Sequence, residues 1–328
     1  MLDSIALILG TTLMYSTPLI FAALGGVISE NAGVVNIGLE GMMVMGAFAG
    51  AAVGYYSGNP WFGFLCGGLA GGVFGLLHAV ACVTFSADQI VSGIAINFLG
   101  PGMALFLSRI FFDGATMTKA IDLNHKIPRT LNNIFPNYDN LIESGYTGFK
   151  LKFMSSMNLF LGNRYATVYV AFIMVFVVWF VLYKTSLGLR IRAVGEHPAA
   201  ADTLGVNVHK IRYLTTTFSG VFAGFGGAAM SLAIVSNFRP TLISGHGFIA
   251  LAAMIFGKWK PQGAMLACLL FGGAQSITVF LGQFGFNIPS QLFAMLPYIL
   301  TLIILVAFVG RSAAPAASGV PYEKENKV

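Results

Sequence analysis

The sequence predicts an all-α polytopic membrane protein with about nine transmembrane helices, within a range of roughly eight to ten. Three observations carry this reading: composition, a series of long apolar runs, and regularly spaced glycines. Hydrophobic residues make up 56% of the 328 and charged residues only 9%, whereas soluble domains carry about 25% charged residues. A membrane span needs roughly 20 apolar residues. Runs of that order occupy residues 5–23, 35–55, 62–85, 90–112, 166–183, 214–235, 264–281 and 292–309. A shorter run at 248–256 reads as a half-span or broken helix. Gly46, Gly50 and Gly54 fall four apart, as do Gly67, Gly71 and Gly75, and again Gly220 and Gly224. Each set lines one helix face and lets a neighbouring helix come close.

The whole of 1–328 reads as one transmembrane domain. The first run follows Asp3 and no Lys or Arg, so it reads as a span rather than a signal peptide. Cys66, Cys82 and Cys268 lie in apolar runs without metal-ligand spacing, which makes them structural thiols. The net charge of +6 is read for topology and gives no sign of a nucleic-acid partner. Lys184, Arg190, Arg192, Lys210 and Arg212 cluster in or beside 185–213, Lys258 and Lys260 follow the short run, and Arg311, Lys324 and Lys327 mark the tail 311–328. Placing these regions in the cytoplasm leaves the N-terminus and the loop 113–164 outside. That loop holds Lys119, Lys126, Arg129, Lys150 and Lys152, but long loops translocate largely regardless of charge. Its turn formers and aromatics, among them Phe135, Tyr138 and Phe149, suggest a small cap with short helices.

Two polar, glycine-containing breaks each lead into an apolar helix: NAGVVNIGLEG at 31–41 and RPTLISGHGFIALAA at 239–253. Their spacing in span number suggests an inverted repeat with broken helices, a plan that places a site near the bilayer midplane. Asn36 and Glu40 are four apart and are expected on one helix face. Glu40 reads two ways, as a carboxylate favoured by the start of a helix or as part of a solute path. Gln89, Ser92 and Asn97 in the fourth run, His246 at the second break and Gln275 in the eighth run complete a candidate path. These donors and acceptors, with many phenylalanines, suit a polar, uncharged, partly aromatic solute better than an ion. No G-x-x-x-x-G-K-[ST], H-E-x-x-H, C-x-x-C or G-x-S-x-G occurs, so the chain has no phosphate-binding loop of its own and no hydrolase or metal motif.

GEHPAAADTLGV, residues 195–206, is short and polar between long apolar runs. His197 precedes Pro198 and is pushed out of the helical region. Pro198 suits a first helical position, three alanines follow, and Gly205 supplies a left-handed stop. A helix over 198–204 is about 10 Å long, too short to persist without a partner surface. Glu196, His197, Pro198, Ala200, Asp202 and Gly205 are therefore the candidate contacts of a docking knob.

RAVGEHPAAADTLGVNVHKIRY resembles the cytoplasmic coupling segment of bacterial ABC-importer permeases of the branched-chain amino acid, ribose and simple-sugar group. ISENAGVVNIGLEGMMVMGAFAG looks like the N-terminal signature of that group, and with SGHGFIALAAMIFGKWKPQGA the chain is most similar to nucleoside-importer permeases. The resemblance covers nearly the whole chain, and the loop 113–164 is its least matched part. It implies a multi-pass subunit of the bacterial cytoplasmic membrane, paired with a second permease. It also implies two cytoplasmic ATPases on the coupling helices and an extracytoplasmic binding protein or lipoprotein that delivers the solute. ATP would be bound by the partners, with no cofactor in this chain. Relatives also move ribose, galactose or riboflavin. A stand-alone secondary transporter and a non-transporting scaffold are the other classes open to such a sequence. The polar short helix and the scarcity of membrane-embedded charge weigh against the first, and the paired breaks against the second.

Overall fold

The computed structural model describes residues 2–122, 125–129, 138–143, 147–282, 295, 299 and 314–323. The described chain is helical. It begins with α1 (Leu2–Glu30), α2 (Leu39–Ser57), α3 (Pro60–Ala79) and α4 (Gln89–Phe111). The short α5 (Tyr138–Glu143) and α6 (Gly148–Met157) follow. Next come α7 (Ala166–Lys184), α8 (Ser186–Glu196), α9 (Pro198–Thr203) and α10 (Val208–Ala229). The series closes with α11 (His246–Phe256) and α12 (Pro261–Gly282). π-helical turns extend α3 over Val80–Thr84 and α10 over Met230–Val235. Local chemistry sets the boundaries. Asn59 accepts from the backbone N–H groups of Trp61 and Phe62 ahead of Pro60, and Asp88 does the same for Ile90 and Val91 at the start of α4.

Six helices among the described residues are long and apolar enough to cross a membrane: Asp3–Glu30, Pro60–Thr84, Gln89–Phe111, Ala166–Lys184, Val208–Val235 and Pro261–Gly282. The expectation was about nine, and the three further runs account for the difference. The predicted span 35–55 begins only at Leu39 and becomes α2, whose Glu40 and paired Tyr55 and Tyr56 lower its apolar character. The run at 248–256 becomes the 11-residue α11, and the run at 292–309 lies outside the described residues. The sixth span starts at Val208 rather than 214, because Asn207 caps Lys210 N–H there. Lys210 and Arg212 consequently lie within the first turns of α10 instead of in a loop.

The centre of the bundle is a seam of α2, α3 and α10, with α1 packed on α10 and α12. The glycine series meet there. A Cβ on Gly46 would strike the carbonyl of Gly224, and one on Gly71 would strike that of Gly220. Lipid tails give no hydrophobic drive for helix pairing, so such close backbone approach supplies the dispersion energy. Beside the seam Phe64 stacks on Phe225 at 4.7 Å between ring centroids, and Phe21 of α1 meets Phe64 edge-on at 5.8 Å. The cysteines are free; Cys82 and Cys268 are buried and Cys66 is half-buried.

Of the loop 113–164, α6 rests on the start of α1, where Ser156 donates to Asp3 at 2.8 Å. The segment after α4 pairs with the end of α10: Thr118 N–H donates to Phe238 O at 3.2 Å and Ile121 N–H to Ser236 O at 2.8 Å. Phe135 lies outside the described residues.

The seam separates tolerated from forbidden glycine changes. Gly46→Leu sets side chain against backbone and should abolish the folded fraction in detergent, read as loss of the monodisperse peak in size-exclusion chromatography. Gly102→Ala, with nothing within 4 Å of the new Cβ, should leave that peak unchanged and shift stability by no more than about 1 kcal/mol.

Candidate functional site

Residues 31–38 connect α1 to α2 and lie inside the protein, with Asn31, Ala32, Gly33, Val34, Asn36 and Gly38 buried. Irregular backbone at this depth must find its hydrogen bonds in protein. It finds them in side chains from helices on every side. Ser29 donates to Val34 O at 2.7 Å. Val35 N–H donates to Gln89 Oε1 at 2.7 Å, and Val35 O lies 3.0 Å from His78 Nε2. A carbonyl only accepts, so His78 carries its proton on Nε2, and its Nδ1 accepts from Ser92 at 2.8 Å. Asn97 donates to Ile37 O at 3.0 Å and accepts from Gly41 N–H at 2.8 Å. Asn36 donates to Ser219 Oγ of α10 at 2.9 Å and accepts from Gly38 N–H at 3.1 Å.

Glu40 joins the two breaks. Its oxygens accept from Gly245 N–H at 2.6 Å and Gly247 N–H at 2.7 Å. They thus neutralise the orphan donors and positive dipole end of α11. Asn36 precedes α2 and shares no helix face with Glu40, which corrects the spacing argument. His246 bonds back to Ile243 O within its own turn. Gln275 sits half-buried on α12. Of the proposed path residues, Asn36, Gln89 and Asn97 spend hydrogen bonds on this loop, Ser92 bonds the His78 ring that holds it, and Glu40 bonds the second break.

Sequence reasoning missed His78, Ser219, Trp259 and Arg212. His78 had a signal, being the one basic side chain in the run 62–85. Trp259 donates its indole N–H to Glu30 and its carbonyl accepts from Asn31 Nδ2 at 3.1 Å. Ser219 had no local signal, since its partner lies 183 residues away.

At the α1 C-terminal end of the molecule lies the segment of α8 and α9. α8 was not anticipated; its Arg192 donates to Leu182 O at 3.1 Å and stacks over Tyr183. A Cβ on Gly195 would strike Asn31 O, so this segment lies directly on the buried loop. His197 adopts an extended φ of −140° and Pro198 opens α9. Gly205, at φ +83°, closes the turn, with its N–H on Asp202 O at 2.9 Å. Ala201 faces inward at 3% exposure. Glu196, His197, Ala199, Ala200, Thr203 and Gly205 are exposed, and Leu204 is 85% exposed.

The family described as branched-chain amino acid transport system / permease component matches residues 8–305. The chain belongs to this family. It is a multi-pass membrane permease subunit, not an enzyme. It is 43% identical to the guanosine ABC transporter permease protein NupQ of Bacillus subtilis, over 98% of this chain and 97% of that one. It is 42% identical to the nucleoside ABC transporter permease protein NupC of Lactococcus lactis, over 98% of each. It is also 24% identical to the guanosine ABC transporter permease protein NupP of Bacillus subtilis, over 80% of this chain and 71% of that one. No solved structure matches.

The loop network can be probed by stability. Glu40→Gln replaces one acceptor oxygen of the α11 cap by a donor, and Asn97→Leu orphans Gly41 N–H and Ile37 O. Each should cost about 1–3 kcal/mol, read as a lower midpoint in thermal unfolding of the detergent-solubilised permease, with Glu40→Gln loosening hydrogen exchange in α11.

Proposed function

We propose that this permease is one of a pair of membrane subunits forming the path of an ATP-driven importer for a nucleoside. The observation that carries the coupling half of this reading is α9: a six-residue helix with small exposed alanines and a bared Leu204, too short to stand without a partner. Near-full-length relatives named as guanosine and nucleoside ABC permeases support the solute. The same Bacillus subtilis that has NupQ also has NupP, which supports pairing of two unlike permeases. In this reading two cytoplasmic ATPases bind and hydrolyse ATP, and a binding protein or lipoprotein hands over the solute outside. The chain sits in the bacterial cytoplasmic membrane with 185–213 and 311–328 on the cytoplasmic side and 113–164 outside.

The contacts support a mechanism. An ATPase closing on ATP pushes α9 through Ala200, Leu204 and the rim groups Glu196, His197, Pro198 and Asp202. Ala201 and Gly195 seat the segment against the body, and Gly195 bears on the α1–α2 loop. α10 follows on directly and runs through the central seam, so displacement at α9 tilts α10 against α2 and α3. The breaks at 31–41 and 239–253, joined through Glu40, form the paired elements of the inverted repeat. The Nε2 of Gln89, buried without a partner among the described residues, and the half-buried Gln275 are left to meet the solute.

Two measurements test the reading. Reconstituted alone in liposomes under an ion gradient, the chain should take up no nucleoside; uptake there would mean a secondary transporter. In the purified complex Ala200→Trp should strip ATPase subunits from an intact permease pair or uncouple hydrolysis from uptake. Glu196→Lys, a rim charge, should do less, by roughly 1 kcal/mol or under. Wild-type docking and coupling by Ala200→Trp would remove α9 from the coupling role.

A further inference from the structure

Residues 314–323 lie folded against the base of the α8–α9 segment as two successive turns, with Ser318 N–H on Pro315 O at 2.9 Å and Val320 N–H on Ala317 O at 3.3 Å. This short piece bonds three separate elements. At the α8–α9 corner, Ala317 N–H donates to Gly195 O at 2.8 Å and Ala316 N–H to Glu196 Oε2 at 3.3 Å. On the buried loop, Gly319 N–H donates to Gly33 O at 3.3 Å. On α10, Val320 O accepts from Arg212 Nη1 at 2.8 Å, and Tyr322 meets the His209 ring edge-on at 5.7 Å. The elements converge at Gly33. Its φ is +83°, and a Cβ there would lie 2.9 Å from Arg212 Nη2 and 3.0 Å from Ala317 O. Arg212 is only 2% exposed, and among the described residues its Nε and Nη2 have no hydrogen-bond partner. Among the described residues Val320 O is thus the anchor of a buried guanidinium.

We propose that residues 314–323 and Arg212 are positioning residues of the transport cycle, forming a strut that holds the α8–α9 corner in register with the buried loop and with α10. The proposal rests on α9 being the ATPase-docking helix. α8 and α9 meet at His197, a single non-helical residue, and a push on α9 is absorbed there if the corner is free to bend. Hydrogen bonds from the strut to Gly195 O and to the Glu196 side chain brace the residues on the α8 side of that bend. The same strut grips Gly33 and Arg212, so the corner, the loop and the foot of α10 move as one piece. Main-chain bonds suit this task because they are directional and their length is fixed.

The test uses the full importer, both permeases with their ATPases, in proteoliposomes. Ala317→Pro deletes the donor to Gly195 O, and Arg212→Met deletes the tie to Val320 O. Each should lower nucleoside moved per ATP hydrolysed by about fivefold, the equivalent of one hydrogen bond. ATPase subunits should still co-purify at the wild-type ratio, and Arg212→Lys should keep more of the coupling than Arg212→Met. If Arg212→Met does not accumulate, Ala317→Pro carries the test alone. Complexes that are less heat-stable yet move the wild-type amount per ATP would make the segment a passive cover and overturn the proposal. Ala200→Trp run alongside separates the two failures. Loss of docking by Ala200→Trp with full coupling in Ala317→Pro sinks the strut only, whereas wild-type Ala200→Trp sinks the coupling helix and the strut with it.

Discussion

Eight residues of irregular backbone, 31–38, run through the interior of a protein that lipid surrounds. Most of them are buried, and each N–H or C=O left without a partner there would cost roughly 1–3 kcal/mol. Much of the remaining architecture serves that need. α3 contributes His78, α4 contributes Gln89 and Asn97, and Ser92 orients the imidazole. α10 contributes Ser219 through Asn36, and Trp259 closes the near end. Polar side chains that would be a liability on a lipid-facing helix are here the condition for the break to exist.

The seam of small residues is the second half of the same solution. Side chains as short as Ser219 and Asn36 can meet only if α2 and α10 lie close, and Gly46 against Gly224 permits that approach. Shape and polarity are therefore coupled: widening the seam by one side chain would also pull the loop from its partners. Glu40 extends the coupling to α11, so the two breaks form one connected body rather than two independent sites.

Composition and run length made the helical membrane class readable, and the spans at 62–85, 90–112 and 166–183 fall within a few residues of the observed helices because apolar runs end where caps such as Asn59 and Asp88 begin. Six of the nine expected runs are long, apolar helices among the described residues; α2 carries Glu40, Tyr55 and Tyr56, α11 is only 11 residues long, and 292–309 lies outside the described residues. The short α9 was legible because Pro198 and Gly205 act locally. The polar set was legible as a group, since polar residues in apolar runs stand out, but its use was not. Whether Asn97 faces a solute or Ile37 O depends on a contact 60 residues away, and sequence spacing does not encode that distance. The grip of residues 314–323 escaped for the same reason, its partners at Gly33, Gly195 and Arg212 being remote in the chain.

The distance of those partners also orders the making of the protein. Asn36 waits for Ser219, 183 residues later, and Glu40 waits for Gly245, 205 residues later. At bacterial and eukaryotic synthesis rates of about 5–20 residues per second, that is a delay of roughly 10–40 s. During it the polar break and its partners on α3 and α4 have been made, but Ser219 and the N–H groups of α11 have not. The α1–α2 region leaves the ribosome among the first and reaches its final bonding among the last. The insertion machinery must keep it wet or shielded until α10 and α11 arrive.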